Sequence, residues 1–155
     1  MTHIVFFNKG GMRVCIPLEG KQTLTASYYT THCLPKMIEA WKITHQRTSL
    51  TKLVFHQDNA RPHIANETIT FLKAKNIDIL KHLPYSPDLL PCDFWLFSKL
   101  KKPLKGQFFN NLSEGVSVFE TSLNNLTPDD FHHCFKLWVD YCKRVLQNKG
   151  SYIPH

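Results

Sequence analysis

Two aspartates stand where carboxylates could do chemistry. Asp58 follows the apolar run Lys52-Leu-Val-Phe-His56, which predicts a buried strand with the acid at its carboxyl end, where open α/β sheets place their sites. Asp93 opens a helical pattern, with 34 residues between the two acids. A helix and a short strand in that interval could return Asp93 to Asp58. Paired carboxylates bind Mg²⁺, and two such ions promote phosphodiester cleavage.

The same two residues also have simpler interpretations. The chain contains seven Asp, so a pair at some such spacing arises easily by chance. Asp93 could be an acid that stabilises a helix N-terminus, and Asp58 could be a turn residue beside Asn59. Spacing alone therefore leaves both a metal site and two structural acids open.

The elements that must position these acids follow from apolar periodicity and from breakers. In chain order, the first are a hairpin over 3–17, a helix after Thr25 that Pro35 breaks or kinks, and a strand over 52–58. Next comes a helix after His63, whose core-facing side is predicted to carry Ile64, Thr68, Phe71 and Leu72. A strand over 77–80, an irregular loop over 82–92, a helix from Asp93 and two helices within 113–147 complete the order. Thr127 is the expected N-cap of the last helix, whose apolar face should include Val139 and Leu146. This order predicts an α/β fold, a mixed sheet flanked by helices.

Composition narrows the class of protein. The 155 residues suit one domain, and no apolar run is long enough to cross a membrane. Nineteen Lys and Arg against twelve Asp and Glu give a net charge of +7, which favours polyanions such as nucleic acid. Five Cys without repeated close spacing and no signal peptide predict reduced thiols and a nuclear or cytosolic protein.

Two longer segments around the acids narrow the interpretation further. His56-Gln-Asp-Asn-Ala-Arg-Pro-His63 and Pro84-Tyr-Ser-Pro-Asp-Leu-Leu-Pro-Cys-Asp-Phe-Trp-Leu-Phe97 resemble the two hallmark segments of mariner-type transposases of the Tc1/mariner superfamily. That family carries an Asp-Asp-Asp triad on an RNase H-like fold, with 34 residues between the second and third Asp, as here. The hairpin also resembles the family's second and third strands. Trp138 with the segment 150–153 resembles its C-terminal part.

The resemblance implies roles for particular residues. Asp58 and Asp93 would be the second and third catalytic, metal-binding acids, with Mg²⁺ or Mn²⁺ as cofactor. Residues 85–91 would form the loop that positions Asp93, and the residues near DNA at the same site would be Asn59, Arg61 and His63. The family cuts DNA at the terminal inverted repeats of a transposon and joins the freed 3′-hydroxyl to a TA target. Transposon DNA, a second copy of the chain and a nuclear location are thus expected.

The match also has departures. The family's first catalytic Asp lies on the first strand, ahead of the hairpin, whereas no Asp precedes Asp58 here and Glu19 is out of register to replace it. The family's helix-turn-helix region has no counterpart either. We therefore expect residues 1–155 to form a partial catalytic domain that lacks the first strand and is inactive alone. The alternative is a non-catalytic relic that binds nucleic acid or protein. Mariner segments also occur fused to a SET methyltransferase domain, which nothing in this sequence resembles.

Other residues leave further alternatives open. The lysines after the Asp93 helix could contact phosphates or aid nuclear entry, or could form a solvated helix end: Lys99, Lys101, Lys102 and Lys105. His132-His133-Cys134 and Cys142 fit no standard zinc spacing and are better explained as helix positions. Tyr28, Tyr29 and Trp41 fall at helical spacing and are predicted to be core residues. His56 and His63 flank Asp58. Either could act as a general base, but a role in orienting the site or in contacting DNA is the better prediction.

Overall fold

The structure is a computed structural model that describes residues 2–11, 13–20 and 22–148. The segment 150–153, whose sequence resembles the C-terminal part of the family, lies outside the described residues. Contacts divide the chain into two compact units. Met1–Asn8 and Met12–Pro84 form the first unit, and Lys9–Gly11 and Tyr85–His155 form the second.

The first unit begins with the predicted hairpin. Strands β1 (Thr2–Phe7) and β2 (Arg13–Leu18) pair antiparallel. Each strand extends the prediction by about one residue. Phe6, Ile16 and Leu18 are buried, so the hairpin contributes one face to the core.

A long helix follows. Of the break or kink predicted at Pro35, the break does not occur, and an irregular turn precedes the proline instead. Helix α1 (Ala26–Tyr28) continues through a π-helical turn (Tyr29–Cys33) into α2 (Leu34–Thr44). Proline lacks an N–H to donate, and the wider turn just before it lets the helix run on. The predicted start is correct, because Thr25 Oγ1 accepts a hydrogen bond of 3.1 Å from the Tyr28 N–H.

A parallel strand pair carries the first candidate acid. Strand β3 (Val54–His56) pairs parallel with β4 (Asp78–Leu80). Strand β3 is shorter than the predicted 52–58, because a 3₁₀ turn (Leu50–Lys52) precedes it and the chain turns again at Asp58. The connection between the two parallel strands is helical, so residues 54–80 form a β-α-β unit.

That connection corrects a second prediction. It consists of α3 (Arg61–Ile64) and α4 (Asn66–Ala74), which are separated by Ala65 in an extended conformation with ψ of 145°. The interruption breaks the helical register, so Ile64 is 53% exposed rather than on the buried face. Leu72 and Thr68 are fully buried as predicted.

The core of the first unit joins both strand pairs. Its buried side chains are Phe6, Ile16, Tyr29, Cys33, Leu34, Met37, Ile38, Trp41, Leu53, Phe55, Leu72 and Ile77. The rings of Phe6 and Phe55 have centroids 6.0 Å apart. Within the described residues, however, the hairpin and the β3–β4 pair are not hydrogen-bonded into one sheet. The predicted mixed sheet is thus present as two separate strand pairs within the described residues.

The second unit is helical. Its elements are a 3₁₀ turn (Pro87–Leu89), a π-helical turn (Cys92–Leu96), α5 (Phe97–Lys101), α6 (Leu112–Asn124) and α7 (Pro128–Gln147). The helix predicted from residue 93 therefore begins slightly earlier. Thr127 caps α7 in a capping box with Asp130, as its sequence predicted.

The last helix is only partly covered within its unit. Phe131 and Cys134 in its first turns are fully buried, whereas Val139 is 51% and Leu146 is 80% exposed. Val139 and Leu146 were both predicted to lie on the apolar face of this helix, and they are exposed rather than buried. In the described part of the chain, no helix is both long enough and apolar enough to span a membrane.

Candidate metal and nucleic-acid site

Asp58 lies where β3 ends and the chain turns towards α3. The Ala60 N–H donates a hydrogen bond of 3.0 Å to Oδ1 of Asp58. This contact, two residues along the chain, is the Asx turn that aspartate favours. The Asp58 side chain keeps 46% of its surface exposed, so the turn presents the carboxylate to solvent.

His63 is the principal partner of this carboxylate. Its Nδ1–H donates to the same Oδ1 of Asp58, and its side chain is only 18% exposed. This hydrogen bond holds the pKa of Asp58 below its ordinary value of 3.8, although partial burial acts in the opposite direction. Asp58 is therefore ionised at neutral pH. Among the described residues, none donates to Oδ2, which leaves that oxygen available to a hard cation.

Two residues behind His63 were not identified from the sequence. The Tyr29 hydroxyl donates to Oε1 of Gln57 at 2.9 Å, and Nε2 of Gln57 donates to the His63 carbonyl at 2.9 Å. The rings of Tyr29 and His63 lie 4.7 Å apart. Tyr29 is 1% exposed, so the core prediction is correct. The sequence offered one signal for Tyr29: a tyrosine predicted to be in the core needs a hydrogen-bond partner for its hydroxyl.

A second histidine pair lies at the ends of β3 and β4. Parallel pairing of His56 with Leu80 brings His82 close, and Nε2 of His56 lies 3.3 Å from Nδ1 of His82. Burial, followed by the positive charge of His82, lowers the pKa of His56 from 6.5 to about 4. His56 is thus neutral at pH 7. Asn59 Nδ2 donates to the His82 carbonyl at 3.2 Å, which ties the two loops together.

A groove of about 600 Å³ runs from Asp58 along β4. Its wall is mostly apolar, with two lysines: Gln57, Asp58, Asn59, Ile64, Ile69, Lys73, Ile77, Asp78, Ile79, Leu80, Lys81, His82 and Pro84. Arg61, which the resemblance placed near DNA, is exposed in the first turn of α3. The first unit therefore brings together Asp58, His63 and Asn59 and leaves Arg61 on the surface.

Asp93 lies in the second unit, in the π-helical turn. Its N–H donates to the Leu90 carbonyl at 2.9 Å, and its side chain is exposed. Buried Leu89, Leu90 and Trp95 anchor the flanking chain. Residues 85–91, which the resemblance assigned to positioning this acid, thus form a short anchored turn that presents Asp93 to solvent.

The basic cluster is also in the second unit. Lys99 Nζ donates to Oδ1 of Asp130 at 3.1 Å and lies 5.8 Å from the centroid of the Trp95 ring. Lys101, Lys102 and Lys105 are exposed. Lys99 is therefore already engaged by an acid of the α7 capping box, whereas the other three present their charge to solvent.

The donor chemistry permits a hard cation and argues against zinc. Among residues 2–11, 13–20 and 22–148, no group of three or more His, Cys, Asp or Glu side chains is arranged to hold a metal ion. Burial raises the pKa of the Cys134 thiol to about 12, so it is protonated and a poor zinc ligand. His132 Nδ1 donates to the Pro128 carbonyl at 2.9 Å. Asp58 instead offers one ionised oxygen, which suits Mg²⁺ or Mn²⁺ as one ligand of several.

Comparison with characterised proteins supports the resemblance of the motifs. The human histone-lysine N-methyltransferase SETMAR is 32% identical over 95 residues, which are 61% of this chain and 14% of SETMAR. The Mariner Mos1 transposase of Drosophila mauritiana is 37% identical over 60 residues, which are 39% of this chain and 17% of that protein. The chain thus spans about a sixth of these relatives. No protein-family model matches it.

Solved structures agree on the fold. The Mos1 transposase catalytic domain with raltegravir and Mg superposes with a TM-score of 0.87 at 21% identity, covering 97% of this chain and 75% of that one. A pre-cleavage Mos1 transpososome gives a TM-score of 0.88 at 21% identity, covering 97% of this chain and 44% of the Mos1 chain. The RNase H-like fold predicted from the sequence is confirmed.

Proposed function

We propose that this chain is part of a mariner-type DNA transposase, in which Asp58 and Asp93 hold Mg²⁺ or Mn²⁺ for DNA strand cleavage and transfer. Its similarity to SETMAR and to the Mos1 transposase and its RNase H-like fold support this proposal. The observation that carries this proposal is Asp58 itself. It is ionised at the end of a strand, with Oδ1 held by His63 and Oδ2 open. The exposed carboxylate of Asp93, at the family's spacing, is the proposed second ligand.

The roles of the chain's own residues follow from their contacts. Asp58 and Asp93 bind the cation, and His63 orients Asp58 through its hydrogen bond. When bound, the cations activate the attacking oxygen and stabilise the leaving oxygen of the phosphodiester. Arg61, with exposed lysines of the basic cluster, would bind the DNA backbone through charge.

The partners proposed for this chain come from its relatives. Mos1 has been solved in a paired-end complex with Mn and in a complex with a left transposon end. By extension, we propose that this chain binds transposon-end DNA as a dimer and acts in the nucleus. The net charge of +7 supports the nucleic-acid part of this proposal.

The 155-residue polypeptide alone should not cut DNA. No Asp precedes Asp58 in its sequence, so it supplies two of the family's three acids. The second candidate is a non-catalytic nucleic-acid-binding protein, which the net charge of +7 supports. The two candidates differ in one respect: only the first predicts activity once the missing acid is supplied.

Nicking of supercoiled plasmid DNA tests this proposal. The protein is prepared as the 155-residue chain and as the same chain extended at its N-terminus by an Asp-bearing first strand from a mariner-type transposase. We expect no nicking by the shorter protein. We expect nicking by the longer one only with Mg²⁺ or Mn²⁺, because the added acid completes the ligand set.

Matched substitutions identify the acids. Asp58→Asn and Asp93→Asn should each abolish nicking by the extended chain. Asp129→Asn should preserve it, because Asp129 is exposed in the first turn of α7 and lies outside the groove that begins at Asp58. Nicking by the extended chain that survives Asp58→Asn, or nicking by the 155-residue chain that Asp58→Ala abolishes, would contradict the proposal.

A further inference from the structure

We propose that Tyr29 and Gln57 are positioning residues that hold His63 on Oδ1 of Asp58, so that Asp58 binds its cation through Oδ2 alone. This inference rests on the proposed function of Asp58 as a cation ligand. It adds two residues to which the sequence assigned no role at the site: Tyr29 in the buried core, and Gln57 inside the first motif. Neither residue would touch the cation, so each would act through His63.

The first step is the chain of contacts that fixes His63. Tyr29 is anchored in the core with 1% exposure, and its hydroxyl donates to Oε1 of Gln57 at 2.9 Å. Gln57 Nε2 in turn donates to the His63 carbonyl at 2.9 Å. The Tyr29 ring also lies 4.7 Å from the His63 ring. Tyr29 therefore restrains His63 in two ways: it contacts the imidazole ring directly, and it restrains the backbone carbonyl through Gln57.

The second step is the requirement for an amide at residue 57. Gln57 accepts a hydrogen bond from Tyr29 and donates one to His63 at the same time. A carboxylate accepts but cannot donate, and an apolar side chain does neither. Replacing Gln57 with Leu therefore breaks both links while it keeps a side chain of similar size.

The third step is the consequence for Asp58. The His63 imidazole and the Ala60 N–H both donate to Oδ1, and within the described residues Oδ2 receives no hydrogen bond. A hydrogen-bonded carboxylate oxygen is a poorer cation ligand than an open one, so the cation should bind Oδ2. Partners that fix a ligand in this way typically change metal affinity by about 10- to 100-fold when they are removed.

The test measures Mn²⁺ affinity by EPR titration of the free ion on the 155-residue chain. Tyr29→Phe keeps the ring and removes only the hydroxyl, and we expect Mn²⁺ to bind about threefold to tenfold more weakly, somewhat less than for loss of a direct partner. Gln57→Leu should have the same effect. Tyr28→Phe is the matched control, because Tyr28 stacks on His32 at 4.6 Å and takes no part in the chain of contacts.

A second readout separates positioning from general destabilisation. In the proton NMR spectrum, the His63 Nδ1–H bonded to Asp58 should give a low-field resonance that shifts or broadens in Tyr29→Phe and stays unchanged in Tyr28→Phe. Unchanged Mn²⁺ affinity and an unchanged resonance in both Tyr29→Phe and Gln57→Leu would overturn the inference, provided that Asp58→Asn still abolishes binding. If Asp58→Asn binds Mn²⁺ as the wild type does, the proposed function itself fails.

Discussion

Nε2 of His56 and Nδ1 of His82 lie 3.3 Å apart at the ends of two parallel strands. The burial of His56, together with this neighbour, makes the stability of the fold sensitive to acid. Burial and the neighbouring His82 lower the pKa of His56 from 6.5 to about 4. The nearby Asp58 acts in the opposite direction but does not offset them. Below pH 6.5 the unfolded chain therefore binds a proton at His56 that the folded chain does not bind until about pH 4.

Replacing His56 should remove part of this pH dependence. The free energy of unfolding of the wild type should fall as pH is lowered from about 6.5 to about 4. His56→Gln should lessen that fall by on the order of 1–2 kcal/mol at pH 5. Urea unfolding at pH 7 and pH 5 measures the difference. His132→Gln, at an exposed residue of α7, is the control, and identical pH profiles for wild type and His56→Gln would contradict this assignment.

The capping box of α7 should contribute measurably to stability. Thr127 Oγ1 accepts from the Asp130 N–H at 3.3 Å, and Asp130 Oδ2 accepts from the Thr127 N–H at 2.9 Å. Thr127→Ala should lower the free energy of unfolding by about 1 kcal/mol, the usual effect of losing an N-cap. Thr121→Ala, at an exposed position inside α6, should not lower the free energy of unfolding. Equal losses in the two variants would show that the cap is not the cause.

DNA binding should be independent of sequence and sensitive to salt. Each phosphate contact that disappears when a lysine is replaced should reduce the slope of log affinity against log salt concentration by about 0.9. Lys101→Ala and Lys102→Ala should each do so, since both side chains are exposed. Lys99→Ala should reduce the slope less, because Asp130 already engages its ammonium group at 3.1 Å. Fluorescence anisotropy with two unrelated DNA duplexes measures these affinities at several salt concentrations. Tight, salt-independent binding to only one duplex would contradict the prediction.

The separate strand pairs of the first unit predict an effect on stability. Within the described residues, β1 pairs only with β2 and β3 pairs only with β4, so each pair has an open edge. A buried backbone group without a partner costs about 1–3 kcal/mol. The chain extended by a first strand should therefore melt at a higher temperature and aggregate less than the 155-residue chain. Calorimetry and light scattering measure both, and equal melting temperatures would contradict a strand site between the pairs.

The sequence predicted those features that depend on neighbouring residues. Thr25 and Thr127 cap helices as their positions indicate, and Asp58 follows a strand. Predictions from helix breakers and helical periodicity were incomplete where a helix contained an irregular turn. Pro35 was expected to break or kink a helix, and a π-helical turn ahead of it keeps the helix continuous. Ile64 is exposed because Ala65 is not helical and interrupts the helical register.

The candidate site could be predicted only in part, for a similar reason. The two acids lie within motifs, and their spacing is visible in the sequence. The hydrogen bond from Tyr29 to Gln57 joins residues 28 apart, and that from Lys99 to Asp130 joins residues 31 apart. Such pairs depend on the packing of separate elements. No periodicity or cap signal along the chain reports them.

The most direct test of the central claim is a double-mutant cycle on Mn²⁺ binding, followed by EPR. If Asp58 and Asp93 are ligands of one cation, each Asp→Asn substitution should weaken binding by more than about tenfold. The double variant should then lose much less than the product of the two effects, because the shared site is already lost. Asp129→Asn, at an exposed position in the first turn of α7, should bind Mn²⁺ as the wild type does. Mn²⁺ binding that survives both substitutions, or losses that multiply as for two independent sites, would contradict the account.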